Sequence, residues 1–463
     1  MKRVLRALVT LLSLGGVIPA GARESAATSV PFTYRGYYFI LSRNPTYGLD
    51  DYRRIADRMA DDGANIWILW IGGGFPSRRY PETWDYNREH RNVRENFAGK
   101  VIDHAHSRKI RVLLGLTPFA YDGVNRYGAA HPELGATDAS GKPAVTGGIH
   151  SMGRGLCPSK AAAREFQLGY CRELFDEFYP QADGLFLEHS DYGSCECTAC
   201  AGGAGLRREW EFVDEISRHV WSRKPEAIEM INPKYATLGV AYDPRYIVFL
   251  APHNATGAEL VKNPKILWHG YWDDAGFFQG LCRTAARDGL AGVIPSMENF
   301  TYEHAWAFDT RWGPEGSAGW DDLLVRVTRF SFREFSARPE LEDADFRRRL
   351  KETFFDDSTP ASAVDDLLAL HRRLNRWTGW TRRGGVMKVP DRPVDPALLS
   401  AKDREELSSE IRPALASLAE IRTRAQAIAD ASPGTRGAKT ATEMAAIAGW
   451  VLAEWEGKLP PAR

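Results

Sequence analysis

Between residues 34 and 296, short apolar runs alternate with amphipathic stretches, and this alternation restricts the fold more than any other feature of the chain. The runs fall at 34–41 (YRGYYFIL), 65–71 (NIWILWI), 110–117 (IRVLLGLT), 184–187 (GLFL), 227–232 (AIEMIN), 246–251 (YIVFLA), 265–272 (KILWHGYW) and 292–296 (GVIPS). Short runs of this kind, bounded by turn residues, read as buried strands. Helical periodicity occupies 49–62, 94–108, 160–179, 206–223 and 275–287, while 118–155 reads as a long loop. Strands that alternate with helices form a parallel sheet. Eight such units match a (β/α)8 TIM barrel. A doubly wound open sheet is the competing arrangement, but no G-x-G-x-x-G follows the first run. The connection between the fifth and sixth runs shows no clear helix, so one unit is expected to be degenerate.

Past residue 317 the pattern is helical alone, at 320–335, 343–354, 361–377, 401–429 and 440–455. The first of these is expected to complete the barrel, and the rest to form a C-terminal all-helical region. The N-terminus carries Lys2, Arg3 and Arg6, an apolar stretch over 7–19, and the small residues Ala20, Gly21 and Ala22. That order reads as a signal peptide at 1–22, directing export to the periplasm or beyond. The barrel is then assigned to 30–340 and the helical region to 341–463. No segment reaches the roughly 20 apolar residues of a membrane span. Lys plus Arg equals Asp plus Glu at 60 each, which argues against a nucleic-acid partner.

In a barrel of this kind the chemistry sits just after the strands, at their C-terminal ends. Taken in order, those positions give Tyr121 and Asp122, then Glu188, His189 and Asp191, then Asn232 and Lys234, His253, Trp272 and Asp273, and Glu298. Carboxylates, aromatics, Asn and His converging on one rim suit glycosidic-bond cleavage, in which one carboxylic acid protonates the leaving oxygen and a second carboxylate attacks or activates water. Glu188 is the candidate acid. Asp191, within roughly 10 Å along extended chain, and Glu298 are candidates for the second carboxylate. Tyr121, Asp122, Asn232, Lys234, His253, Trp272 and Asp273 are candidate sugar contacts. Three of these rim positions have a plainer reading: Asp273 as a helix cap, Glu298 as a polar loop residue, His189 as a hydrogen-bonding core histidine.

Six cysteines are present, and three follow the fourth run as Cys195, Cys197 and Cys200, in C-x-C-x2-C spacing. Cys157 closes the loop after the third run, and adjacent barrel strands would bring all four together. A four-thiolate zinc site fits that set. Export favours disulfides, yet short-range bridges within C-x-C-x2-C are strained, which tips the reading towards a structural metal site. Four thiolates leave no open ligand position, so no cofactor is assigned to catalysis and a zinc-dependent hydrolase is disfavoured. Cys171 and Cys282, on helical stretches, read as buried thiols.

The segments LCPSK (156–160) and ADGLFLEHSDYGSCECTAC (182–200) resemble exported barrel glycoside hydrolases akin to α-glucuronidases and β-N-acetylhexosaminidases, and their uncharacterised relatives. His131-Pro132-Glu133-Leu134 with TDASGK (137–142), and REFSARPELEDADFRRRLKETFF (333–355), are similar to the loop after the third strand and the helices after the barrel in that group. The resemblance spans residues 34–355 and implies catalysis by the acid ending the fourth strand, here Glu188. The adjacent Asp-Glu of hexosaminidases is absent, which argues against substrate-assisted cleavage of an N-acetyl sugar. The sequence reading is therefore an exported glycoside hydrolase acting on an oligosaccharide or polysaccharide. A non-catalytic carbohydrate-binding barrel is the alternative.

Overall fold

A computed structural model describes residues 31–41, 47–144, 155–190, 195–251, 255–269, 275–296, 321–375, 393, 395, 397 and 399–459. Eight parallel strands close into a barrel in sequence order. They are β1 (Tyr34–Ile40), β2 (Ile66–Trp70), β3 (Arg111–Leu116), β4 (Gly184–Leu187), β5 (Ile228–Ile231), β6 (Ile247–Leu250), β7 (Lys265–His269) and β8 (Gly292–Pro295). β1 pairs with both β2 and β8, so the sheet has no free edge. The outer layer includes α1 (Leu49–Asp61), α2 (Ala98–Ser107), α3 (Asp122–Ala130), α4 (Ala161–Arg172) and α5 (Ala204–Arg223). α1 shows why these segments are helical. Tyr52, Ile55, Ala56 and Met59 form one buried stripe, Asp50 and Asp51 sit in the first turn, and the Asp51 carboxylate accepts from Gly48 N–H at 2.8 Å.

The lumen is filled by rings. Tyr38, Phe186, Phe249 and Trp268 come from β1, β4, β6 and β7, yet their centroids lie 6.0 Å (Tyr38–Phe186), 5.4 Å (Tyr38–Trp268) and 4.5 Å (Phe186–Phe249) apart. Side chains from strands that are not neighbours can meet in this way only across the barrel interior. Trp70 joins the layer from β2, 5.9 Å from Tyr38. These contacts fix the phase of each strand, because successive side chains alternate between the two faces.

The sequence reading needs two corrections. Part of the expected loop 118–155 is helical, as α3, and two antiparallel bridges, Gly135↔Leu156 and Thr137↔Pro143, tie down the chain beyond that helix. The helix expected over 160–179 changes pitch, with α4 passing into a π-helical stretch, Glu173–Phe178. The buried Glu173 carboxylate there accepts from Ser77 Oγ at 2.6 Å and Arg78 N at 2.8 Å. The connection between β5 and β6 is degenerate as expected, carrying a 3-10 helix, Pro233–Leu238, and among the described residues β6–β7 carries a shorter one, Ala258–Leu260. Gly239, in a left-handed conformation, ends the former.

The chain divides into two compact units. One holds all eight strands and α1–α5. The other holds α7 (Leu323–Ala337), α8 (Asp343–Phe354), α9 (Ser362–Asn375), α10 (Ala401–Glu406), α11 (Arg412–Ala431) and α12 (Arg436–Trp455), while α6 (Ala275–Arg287) is divided between them. In the helical unit Phe346 of α8 packs on Phe330 and Phe335 of α7, with centroids at 5.5 and 4.5 Å. Thr328 Oγ1 lies 2.7 Å from His371 Nε2, joining α7 to α9. Among the described residues no helix is long and apolar enough to cross a membrane.

Candidate active site at the barrel mouth

Strand phase decides which residues face the mouth. In β4, Phe186 points into the lumen, so Glu188, two residues on, points the same way and His189 points outward. In β3, a Cβ on Gly115 would come within 3.0 Å of the lumenal Trp70 ring, which makes Thr117 lumenal as well. In β5, Glu229 reaches outward to Ser217 of α5, at 3.0 Å, so Asn232 faces in. The ladders pair Leu116 with Leu187 and Leu187 with Ile231. One step further out, Thr117, Glu188 and Asn232 therefore stand side by side on the C-terminal rim.

All three are covered, with exposures of 1%, 7% and 0%. Asn232 Oδ1 accepts from Lys234 N–H at 2.9 Å, which fixes the amide orientation. Its Nδ2, and Thr117 Oγ1, have no hydrogen-bond partner among the described residues. Buried polar atoms without partners are rare and costly, and two at one level beside a carboxylate mark a polar site. Thr117 was not among the sequence candidates. It closes an apolar run, and only the two-residue alternation of β3 reveals its direction.

Behind Glu188, facing the helix layer, lies a second polar group. His189 Nδ1 is 2.7 Å from Glu209 Oε1, and His189 Nε2 is 2.7 Å from Lys234 Nζ. Tyr235 Oη donates to the same Glu209 oxygen at 2.6 Å. A lysine amine at this contact donates, so Nε2 accepts and Nδ1–H donates to the carboxylate, leaving one tautomer. His189 and Glu209 side chains are 1% and 3% exposed. His189 is thus the hydrogen-bonding histidine of the plainer reading, and it anchors the backbone beside Glu188. Glu209 was missed because a glutamate in an amphipathic helix reads as solvated surface. Burial pushes the Tyr235 hydroxyl well above its ordinary range, reinforced by the Glu209 charge.

On the β2–β3 side, Trp70 Nε1 donates to Asp122 Oδ2 at 2.8 Å, and the Trp70 and Tyr121 rings meet edge-on at 6.4 Å. The loop that brings them there is strained: Phe119, Tyr121 and Asp122 have φ of +59°, +68° and +40°. Such non-glycine conformations cost about 1–3 kcal/mol each and persist only where surroundings enforce them. Here Leu156 N–H holds Phe119 O at 2.7 Å, and Phe119 N–H binds the buried Gln167 at 3.1 Å. Asp191, Glu298, His253, Trp272 and Asp273 lie outside the described residues.

The four cysteines are brought together, as the sequence reading expects. The Sγ atoms of Cys157, Cys195, Cys197 and Cys200 all lie within 4.8 Å of one another. Cys157 is 3.8 Å from Cys197 and 3.6 Å from Cys200. Thr137 N–H donates to Cys195 Sγ at 3.3 Å, and Ser159 Oγ lies 2.9 Å from Cys200 Sγ. A hydrogen bond from the Cys157 thiol holds the Cys195 thiol far below its usual range, at about 4. The set can hold a soft tetrahedral ion. Cys171 and Cys282 are buried elsewhere, as expected, and burial pushes the Cys171 thiol up to about 12.

No family model and no curated protein matches the chain. Solved structures do. A family 138 glycoside hydrolase targeting pectin rhamnogalacturonan II is similar at a TM-score of 0.54 and 12% identity, over 97% of this chain and 60% of its own. A chitobiase of Flavobacterium johnsoniae matches at 0.47 and 12% identity, over 93% and 73%, and a β-N-acetylhexosaminidase of Bacteroides fragilis at 0.47 and 12%, over 70% of each chain. The first likeness extends the barrel assignment to a solved fold, although this chain spans only 60% of that enzyme.

Proposed function

We propose that this chain is a glycoside hydrolase acting at the C-terminal mouth of the barrel, with Glu188 as the general acid. The observation that carries the reading is the placement of Glu188: lumen-facing, almost covered, and flanked at rim level by Thr117 Oγ1 and Asn232 Nδ2, which have no hydrogen-bond partner among the described residues, above a floor of rings. A carboxylic acid so placed can protonate a glycosidic oxygen. The solved relative that targets pectin supports a carbohydrate substrate, oligomeric or polymeric.

In this scheme Asp191 or Glu298 supplies the second carboxylate. Its separation from Glu188, about 5–5.5 Å or about 6.5–9.5 Å, decides between retention and inversion. Tyr121, Asp122, Asn232, His253, Trp272 and Asp273 contact the sugar, and Asn232 Nδ2 takes a hydroxyl as its missing acceptor. Lys234 contributes at the same rim while one of its N–H groups holds His189. The cysteine cluster is structural, with zinc as its occupant. The N-terminal pattern exports the protein to the periplasm or beyond.

The test is a panel of neutral, amino and uronic-acid aryl glycosides, run with wild type and Glu188→Gln. Hydrolysis of one class, reduced at least ~100-fold in the variant, is the expected result for loss of a general acid. Sugar binding without hydrolysis, unchanged by the substitution, would establish a carbohydrate-binding barrel instead.

A further inference from the structure

We infer that the four thiols hold one Zn²⁺, and that this ion clamps the loop from β4 to α5 so that Glu188 and the His189–Glu209 contact keep their places. Tetrahedral zinc with Zn–S near 2.3 Å sets its sulfurs about 3.8 Å apart. The 3.8 and 3.6 Å contacts match that figure, and all four sulfurs lie within 4.8 Å of one another. Disulfides would require a different arrangement. Pairing all four forces one bridge inside 195–200, whereas here each sulfur approaches the other three rather than one partner.

The surroundings suit bound thiolates. Thr137 N–H is directed at Cys195 Sγ, and the Ser159 hydroxyl meets Cys200 Sγ. Such contacts orient and tune ligands from outside the coordination shell. The cluster is also a junction of segments distant in sequence. Glu196 N–H bonds Thr137 O at 2.8 Å, Ala139 N–H bonds Glu196 Oε2 at 3.0 Å, and Cys157 N–H bonds Leu134 O at 2.9 Å. Cys200 O receives Gly205 N–H at 2.9 Å, at the start of α5. α5 carries Glu209, whose carboxylate meets His189 directly after β4. The metal therefore lies on the chain linking the two halves of that contact. Apart from the thiols, Ala136 and Ala144 pack against the cluster, and these small groups would not hold the loops together by themselves.

The metal site and the clamp stand independently of the glycosidase reading; only the role given to Glu188 rests on that reading. Full-length protein, purified without chelator, is examined for metal by plasma mass spectrometry and for thiols in denaturant without reductant. One zinc per chain and six titratable thiols are expected, and Co²⁺ exchange should give the charge-transfer and d–d bands of a tetrahedral thiolate site. Cys195→Ser should lose the zinc; if that variant does not fold, the wild-type thiol count still decides. A metal-free protein with four thiols oxidised would overturn the site. The clamp is read by hydrogen exchange: chelation should increase exchange in peptides spanning 184–200 and 204–212 and leave β1–β2 protected. Bound zinc whose removal alters neither peptide would overturn the clamp.

Discussion

Glu188 and Glu229 lie on adjacent strands, and opposite orientation gives them opposite fates. Glu229 points out of the barrel into a fully covered site, where Ser217 Oγ and Leu185 N–H donate to its two oxygens. Burial nevertheless pushes its pKa well above the ordinary carboxylate range. The native state then binds the proton more tightly than the unfolded chain. The resulting stability is complete below the unfolded pKa of about 4.3 and is lost as pH rises through the folded value, at a slope approaching 1.4 kcal/mol per pH unit. Glu229→Gln should therefore gain on wild type as pH rises from about 4 to 7, measured as denaturant midpoints at each pH. A wild type whose stability rises over that interval in parallel with the variant would contradict the buried-acid assignment. For the His189 contact, Glu209→Gln should cost about 1.5–3 kcal/mol, the scale of a hydrogen bond to a charged group. If Glu209 positions the site, that variant should also lower kcat on the cleaved glycoside at unchanged KM, which a purely structural role would not do.

The strands were legible because a parallel barrel strand is covered on both faces and so reads as a continuous apolar run. The same property hides direction. In GLFL-Glu188-His189 nothing separates the lumenal from the outer face, so Glu188 could be singled out only by its place after a strand. Thr117 was lost within its apolar run, and Glu209 and Tyr235 were invisible because their partner is distant in sequence. The cysteines were the clearest local signal, since spacing alone brings three thiols together. β4 also shows how tightly the element is built. Gly184 has φ +144°, and a Cβ there would lie 1.9 Å from Ile228 O. Gly184→Ala should lower stability by more than about 1 kcal/mol. Because Gly184 begins the strand that Glu188 directly follows, the variant's thermal midpoint and activity should fall together.

At the scale of the molecule, the closed eight-strand barrel is a rigid frame that turns strand ends into one polar rim. The helical unit has a core of its own around α7. The frame explains why distant residues meet at the mouth. The proposed chemistry rests on Glu188 as an acid, and leaving-group dependence tests that most directly. On the glycoside class cleaved by wild type, Glu188→Ala is compared on an activated aryl glycoside and on the matching sugar–sugar linkage. An acid catalyst matters most when the departing oxygen needs a proton, so the sugar–sugar linkage should lose far more rate than the aryl glycoside, with the thermal midpoint held. Equal losses on both substrates, or a wild type that cleaves neither, would contradict Glu188 as the general acid.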